Sequence, residues 1–288
     1  MFHVGKFDES RFAVPRGYAQ HSRGFERVSL MDRSIGSVHM GVGIGRLQPM
    51  GNIETCVHAN EKGIYILEGE LEMKRGQEVF RLSVDDYALI PYGTPHAFRN
   101  TAAKAARWFE MQAPQPKPPG GWQDTFFVDD RDWPAQVNQP DLENPDTRFL
   151  GHFKTGKAMI PRGKGIKGLT VYRFMEREFG AQHFFMMRGE LLPGGVRSCH
   201  DHPVEEFYFA LSGETFMDME GERFRLRRGD VAWTGVGASH AFCHTGDVPF
   251  RWIETQAPQF PAQNGTRNYS DWDELRAGNC PLDQGSEE

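Results

Sequence analysis

Cys199-His-Asp-His-Pro-Val-Glu-Glu-Phe-Tyr-Phe-Ala-Leu-Ser-Gly213 is the stretch from which the rest of the chain can be read. On an extended strand His200 and His202 project from one face, and Glu206 continues the same even spacing. Gly213 then closes the segment with a turn. Downstream, Gly235-Val-Gly-Ala-Ser-His240 is a glycine-rich turn that ends in another histidine. Three imidazoles and one carboxylate on facing strands form a ligand set suited to a divalent transition metal.

The same pattern is written twice. A single fixed offset carries His39 onto His183, Pro49 onto Pro193, Gly51 onto Gly195 and His58 onto His202. It also carries Phe80-Arg81-Leu82 onto Phe224-Arg225-Leu226, and His96-Ala97-Phe98 onto His240-Ala241-Phe242. Arg107-Trp108 meets Arg251-Trp252, and Gln112-Ala-Pro-Gln115 meets Gln256-Ala-Pro-Gln259. Identities of this kind at one offset require two copies of one fold. Within each copy the periodicity is that of strands. Glu70-Leu-Glu-Met-Lys74 and Arg223-Phe-Arg-Leu-Arg227 alternate strictly, as a sheet with one wet and one buried face demands. Short strands punctuated by Gly69, Gly76 and Gly93, and again by Gly213, Gly221 and Gly237, read as an antiparallel barrel or jelly roll. The fold class is therefore all-β, with few short helices expected at Asp130 to Ala135 and Ser270 to Arg276.

The expected organisation is an N-terminal barrel with its arm over 1–120 and a connection over 121–164. A C-terminal barrel over 165–262 and a tail over 263–288 follow. Gln115-Pro-Lys-Pro-Pro-Gly-Gly121 marks the first boundary, stiff and then flexible. The 288 residues are 39% hydrophobic and 25% charged, an ordinary globular composition. A net charge of -6 with no basic run argues against a nucleic-acid partner. No apolar run approaches the roughly 20 residues that span a bilayer, so no membrane partner is expected. A cytoplasmic location is the expectation, the four cysteines forming no close-spaced framework. Barrel edges and the N-terminal arm offer pairing surfaces for a homodimer.

These residues carry a family resemblance. His200-x-His202, three residues, Glu206, six residues, Gly213 is similar to the first signature of the cupin superfamily. Gly229 followed by Gly235-Val-Gly237-Ala-Ser-His240 resembles the second, and Pro91-Tyr-Gly93-Thr-Pro-His96-Ala-Phe-Arg-Asn100 matches that second signature more fully. The resemblance spans both copies and implies a bicupin, two tandem jelly-roll barrels from one duplicated gene.

The two copies differ where chemistry is expected. His200 corresponds to Cys56, His202 to His58, Glu206 to Lys62 and His240 to His96. An ammonium at the carboxylate position repels a dication and offers no lone pair while protonated. The N-terminal site (Cys56, His58, Lys62, His96) therefore reads as degenerate and metal-free, and any metal it held would be zinc on its Cys-His-His set. The C-terminal set of His200, His202, Glu206 and His240 reads as the metal site, with Fe(II) or Mn(II) favoured and Ni(II), Co(II) or Zn(II) as alternatives. Counting in twos places Tyr208 and Phe242 inward. His183 and Phe185 on the preceding strand and Trp233 before the turn complete an expected aromatic pocket for a small-molecule substrate.

The resemblance to flavonol-type dioxygenases implies an oxygenase of an aromatic or enolic small molecule, with Glu206 as ligand and catalytic base. Gly36-Ser-Val-His39, Ile64-Tyr-Ile-Leu-Glu-Gly69 and Leu82-Ser-Val-Asp-Asp-Tyr-Ala-Leu-Ile-Pro91 resemble the N-terminal half of ureidoglycine aminohydrolase bicupins. That likeness implies an oxygen-independent aminohydrolase or isomerase instead. A non-catalytic metal-binding sensor or storage-type bicupin is the third class.

Overall fold

The computed structural model describes residues 1–118, 123–141, 149–155, 157–162, 165–260 and 266–268. It folds into two compact units, one of residues 8–156 and 174–183, the other of residues 1–7, 157–173 and 184–288.

In the C-terminal unit the alternating segments hydrogen-bond in the order Asp230–Thr234, Glu205–Ser212, Phe250–Ala257, Phe185–Asp201, His240–Cys243, Glu214–Met219, Glu222–Arg227. The N-terminal unit repeats this order with Asp86–Ile90, Glu61–Glu68, Ala106–Ala113, Gly41–His58, His96–Arg99, Leu71–Arg75 and Glu78–Leu82. Neighbouring strands along both paths pair antiparallel. Each barrel's inner face is a closed apolar cluster. Leu47, Ile64, Met73, Phe98 and Trp108 centre one, and Leu191, Tyr208, Met217, Phe242 and Trp252 centre the other. Fully burying side chains of this size stabilises by roughly 1.5–3 kcal/mol each, which favours the inward register over a slip by one residue.

Both barrels take an edge strand from outside the repeat. Phe2–Lys6 pairs with Asp230–Thr234, so the first strand of the N-terminal arm groups with the C-terminal unit, while the arm from Asp8 onward stays with the first barrel as expected. Leu150–His152, from the expected connection, pairs with Asp86–Ile90. The expected helix at Asp130 to Ala135 is absent: that segment is irregular, because its polar groups bond to the barrel wall. Asp130 accepts through its backbone and side chain from the buried Lys74, and Thr55 Oγ1 donates to the Asp130 carbonyl at 2.6 Å. Among the described residues the helical segments are single turns such as Glu9–Arg11 and Arg177–Phe179. The expected helix at Ser270 to Arg276 lies outside the described residues. No described helix is long and apolar enough to cross a membrane.

The long strands Gly41–His58 and Phe185–Asp201 each carry one irregularity that decides the sites. Register shifts between Ile53 and Cys56 in one and between Arg197 and His200 in the other. Three steps on the long strand oppose two on its partner, Arg197 facing Phe242 and His200 facing His240. This bulge puts residues an odd number apart on one face. Ile53 accordingly packs in the first core while Cys56 joins the polar cluster beside it.

Candidate metal centre

In the C-terminal barrel the ligand atoms of His200, His202 and His240 all lie within 4.8 Å of one another, and all three residues are buried. Glu206 completes the group: Oε1 is 3.3 Å from His202 Nε2 and Oε2 is 2.8 Å from His240 Nε2. The second nitrogen of each ring is committed elsewhere. His200 Nδ1 bonds the Ser198 carbonyl at 2.8 Å, and His240 Nδ1 bonds the Ala238 carbonyl at 3.0 Å. His202 Nδ1 lies 2.9 Å from Thr266 Oγ1. Such outer contacts fix ring tautomer and direction, leaving the Nε2 lone pairs to converge. His240 Nε2 is buried and faces the Glu206 carboxylate and two further imidazoles, a donor set that fits a metal ion.

Electrostatics prepare the group in its ligating form. Burial, with His240 and Arg197 close by, holds the His200 imidazole well below its usual range. Burial also lowers His202, against the opposing pull of Glu206. Burial would raise the Glu206 carboxyl, but His202, His240 and the Tyr208 hydroxyl outweigh it and bring it down to about 2. Neutral imidazoles at His200 and His202 and an ionised carboxylate at Glu206 are forms that ligate a metal.

Around this set the structure sorts the expected pocket residues. Tyr208 is beside it, its hydroxyl donating to Glu206 Oε2 at 2.7 Å, and Phe242 packs edge-on to Tyr208 with ring centroids 5.3 Å apart. Phe185 pairs in register with Gln256 and so shares the inner face, where the Arg173 guanidinium lies 5.3 Å over its ring. Trp233 does not line the site. It pairs with Phe207, one residue out of step with Glu206, and therefore faces away, while Thr234 pairs with Glu206. His183 is not on a strand of this barrel either. It precedes Phe185–Asp201 and groups with the N-terminal unit, where its backbone N–H donates to Glu61 Oε2 at 2.9 Å.

Three residues near the ligands escape a reading of spacing alone. Gln256 Nε2 donates to both Glu206 Oε1 and Glu254 Oε1, each at 2.6 Å. Glu254 accepts from Trp252 Nε1 at 3.0 Å, and burial together with the Glu206 charge raises its carboxyl to about 8. Arg197 is turned inward by the bulge. Its charge acts on His200, His202, Glu206 and Tyr208, and Nη1 donates to Asn268 Oδ1 at 2.9 Å. The repeated Gln-Ala-Pro-Gln segment was the available signal for Gln256; the bulge that redirects Arg197 has none.

In the N-terminal barrel Cys56 Sγ lies 3.9 Å from His58 Nε2 and 3.8 Å from His96 Nε2. Burial, eased by Lys62, raises the Cys56 thiol to about 11. Burial and Lys62 together lower His96 to about 3 and put His58 well below its usual range. Glu110, at the position of Glu254, is instead held down to about 2: burial is outweighed by Lys62, Arg27 and the bond from Trp108 Nε1.

Two all-β barrels with the same strand order, one of them holding a three-histidine, one-glutamate cluster that could hold a metal ion, define a duplicated barrel protein. The Cupin domain family matches residues 43–111 and 187–255, one match in each barrel. The chain belongs to the cupin superfamily and is a bicupin. Over 101 residues it is 32% identical to "Polyketide synthase CurC" of Streptomyces cyaneus, a match covering 34% of this chain and 66% of that relative. Among solved structures, oxalate decarboxylase of Lactobacillus farciminis superposes with a TM-score of 0.67 at 14% identity, covering 93% of this chain and 89% of that one. Oxalate decarboxylase of Bacillus subtilis superposes at 0.67 with 17% identity, covering 99% and 84%. Protein Ylba of E. coli gives 0.65 with 15% identity, covering 91% and 93%. At these identities the structures share the fold.

Proposed function

We propose that the C-terminal barrel is the active site of a metal-dependent dioxygenase acting on an aromatic or enolic small molecule. The convergence of His200, His202 and His240 with Glu206 carries this reading; Arg197, which faces Phe242 across the bulged strand pair and whose charge acts on His200 and Glu206, suits the negative charge of an ionised enol, phenol or carboxylate. An Fe(II) or Mn(II) ion held by His200, His202, Glu206 and His240 would lower the pKa of a chelated hydroxyl and supply a site for dioxygen beside it. This chain's residues supply the rest. Arg197 orients the anion. Tyr208 and Phe242 pack beside the cluster as its apolar surround, and Glu206, the carboxylate of the ligand set, is the group we assign to receive the hydroxyl proton. The curated relative named a polyketide synthase supports the same class, since polyketide intermediates are rich in enolic and phenolic hydroxyls.

The test is turnover of β-dicarbonyl and polyphenol substrates by metal-loaded protein, with oxygen uptake recorded. Activity that stops under argon and returns with air supports a dioxygenase. Turnover undiminished without oxygen would sink it in favour of the oxygen-independent hydrolase or isomerase.

A further inference from the structure

Lys62, standing where the ligand carboxylate belongs, argues on sequence for a metal-free N-terminal barrel. The distances argue otherwise. A metal about 2.3 Å from sulfur and about 2.0–2.1 Å from imidazole nitrogen sets sulfur and nitrogen roughly 3.6 Å apart in a tetrahedron and roughly 3.8 Å apart in a trigonal plane. Cys56 Sγ is 3.9 and 3.8 Å from the two Nε2 atoms. The other ring nitrogens are tied as in the C-terminal barrel: His58 Nδ1 to Thr125 Oγ1 at 3.0 Å, His96 Nδ1 to the Thr94 carbonyl at 2.9 Å. Cys56, His58, Lys62, His96 and Glu110 share the lining of a void of about 10 Å³, room for one water or one ion, with Tyr18, Phe25, Ile53, Phe98 and Trp108 closing its apolar side.

We propose that the N-terminal barrel holds one thiophilic ion, zinc, on Cys56 Sγ, His58 Nε2 and His96 Nε2, so that the two barrels carry chemically different metals. The anionic ligand has moved rather than vanished: a thiolate at residue 56 supplies the charge that a carboxylate supplies at residue 206. Lys62 is answered by Glu110, a buried carboxylate whose charge Arg27 and Trp108 also stabilise. On binding, the Cys56 S–H bond breaks, its proton leaves to solvent, and an S–Zn bond forms with no change of oxidation state. Sulfur in the set selects zinc over Fe(II) or Mn(II), which the carboxylate-bearing set favours. The one-atom void leaves no space for a substrate, so the zinc is a fixed part of the barrel.

The test removes the C-terminal site with His202→Ala and measures metal per chain by atomic emission, then loads the same variant with cobalt. The expected result is one zinc retained and, with cobalt, a thiolate-to-metal charge-transfer absorption that Cys56→Ser in this background lacks. If Cys56→Ser does not fold, His96→Gln keeps the thiol and must weaken zinc binding at least tenfold. A His202→Ala protein that takes up no zinc, or cobalt-loaded protein with no thiolate band, overturns the proposal.

Discussion

The Tyr208 hydroxyl donates to Glu206 Oε2 at 2.7 Å, in a fully buried setting, while Gln256 takes the other carboxylate oxygen. Both oxygens of the metal-ligand carboxylate are thus positioned by the protein itself. A hydrogen bond to a charged group contributes about 1.5–3 kcal/mol, equivalent to about 1–2 pKa units. In Tyr208→Phe the Glu206 carboxylate loses one of the two donors that fix its direction, and Mn(II) affinity at pH 7 is expected to fall at least tenfold. Titration of free Mn(II) by electron paramagnetic resonance checks this; equal affinity in variant and wild type would mean that Tyr208 does not position the carboxylate.

Arg197 gives a prediction that separates substrate binding from metal binding. Arg197→Met removes the inward guanidinium but none of the ligands. An enolate probe such as acetylacetone is expected to bind metal-loaded Arg197→Met at least tenfold more weakly, the loss of one charge-assisted bond. Metal content is expected to stay at the wild-type level. Equal affinity in variant and wild type would remove Arg197 from the site.

Much of this was legible in the sequence because it repeats. The all-β class and the inward register follow from alternation that recurs in the duplicated copy, and His200, His202, Glu206 and His240 converge as their spacing implies. What alternation could not show is where it breaks. The shift between Arg197 and His200 reverses which residues face inward, so counting in twos from His200 would leave Arg197 outside. Trp233 misled for a related reason. It is large, apolar and close in sequence to the turn, yet its register with Phe207 points it away from Glu206. His183 was displaced by chain path, since the strand starts two residues later at Phe185.

Glu254 makes stability depend on pH in a direction opposite to most carboxylates. Burial and the Glu206 charge raise it from 4.5 to about 8 in the folded protein. Between these values the folded state binds a proton that the unfolded state has released. Stability from this group is therefore full below about 4.5 and is lost as pH rises through about 8. Metal-free wild type is expected to lose stability over that window, by at most about 1.4 kcal/mol per pH unit. Glu254→Gln mimics the protonated carboxyl and flattens the profile. Urea midpoints of the two proteins at pH 5.5 and 8 check it; parallel profiles would show that Glu254 ionises normally.

In each barrel a glycine lies flat against a tryptophan on the neighbouring strand, and only the C-terminal pair leads to the three-histidine, one-glutamate cluster. A Cβ on Gly189 would stand 2.2 Å from Trp252 Cε2, and one on Gly45 would stand 2.2 Å from Trp108 Cε2. In each case the alanine methyl must displace the indole, and overpacking of this kind costs typically 1–3 kcal/mol. Trp252 Nε1 bonds Glu254, which shares Gln256 with Glu206, so displacing that indole disturbs the carboxylate of the proposed ligand set. Gly189→Ala is therefore expected to lower both thermal stability and Mn(II) affinity. Gly45→Ala is expected to lower stability by a similar amount and leave Mn(II) affinity unchanged. A Gly189→Ala, Trp252→Leu double variant relieves the clash, so its two changes are non-additive in stability. Because Trp252→Leu also removes the donor to Glu254, relief of the clash does not restore Mn(II) affinity. Recovery of both together would mean that steric pressure on the barrel, rather than the Trp252–Glu254–Gln256 bonds, connects this packing to the metal site.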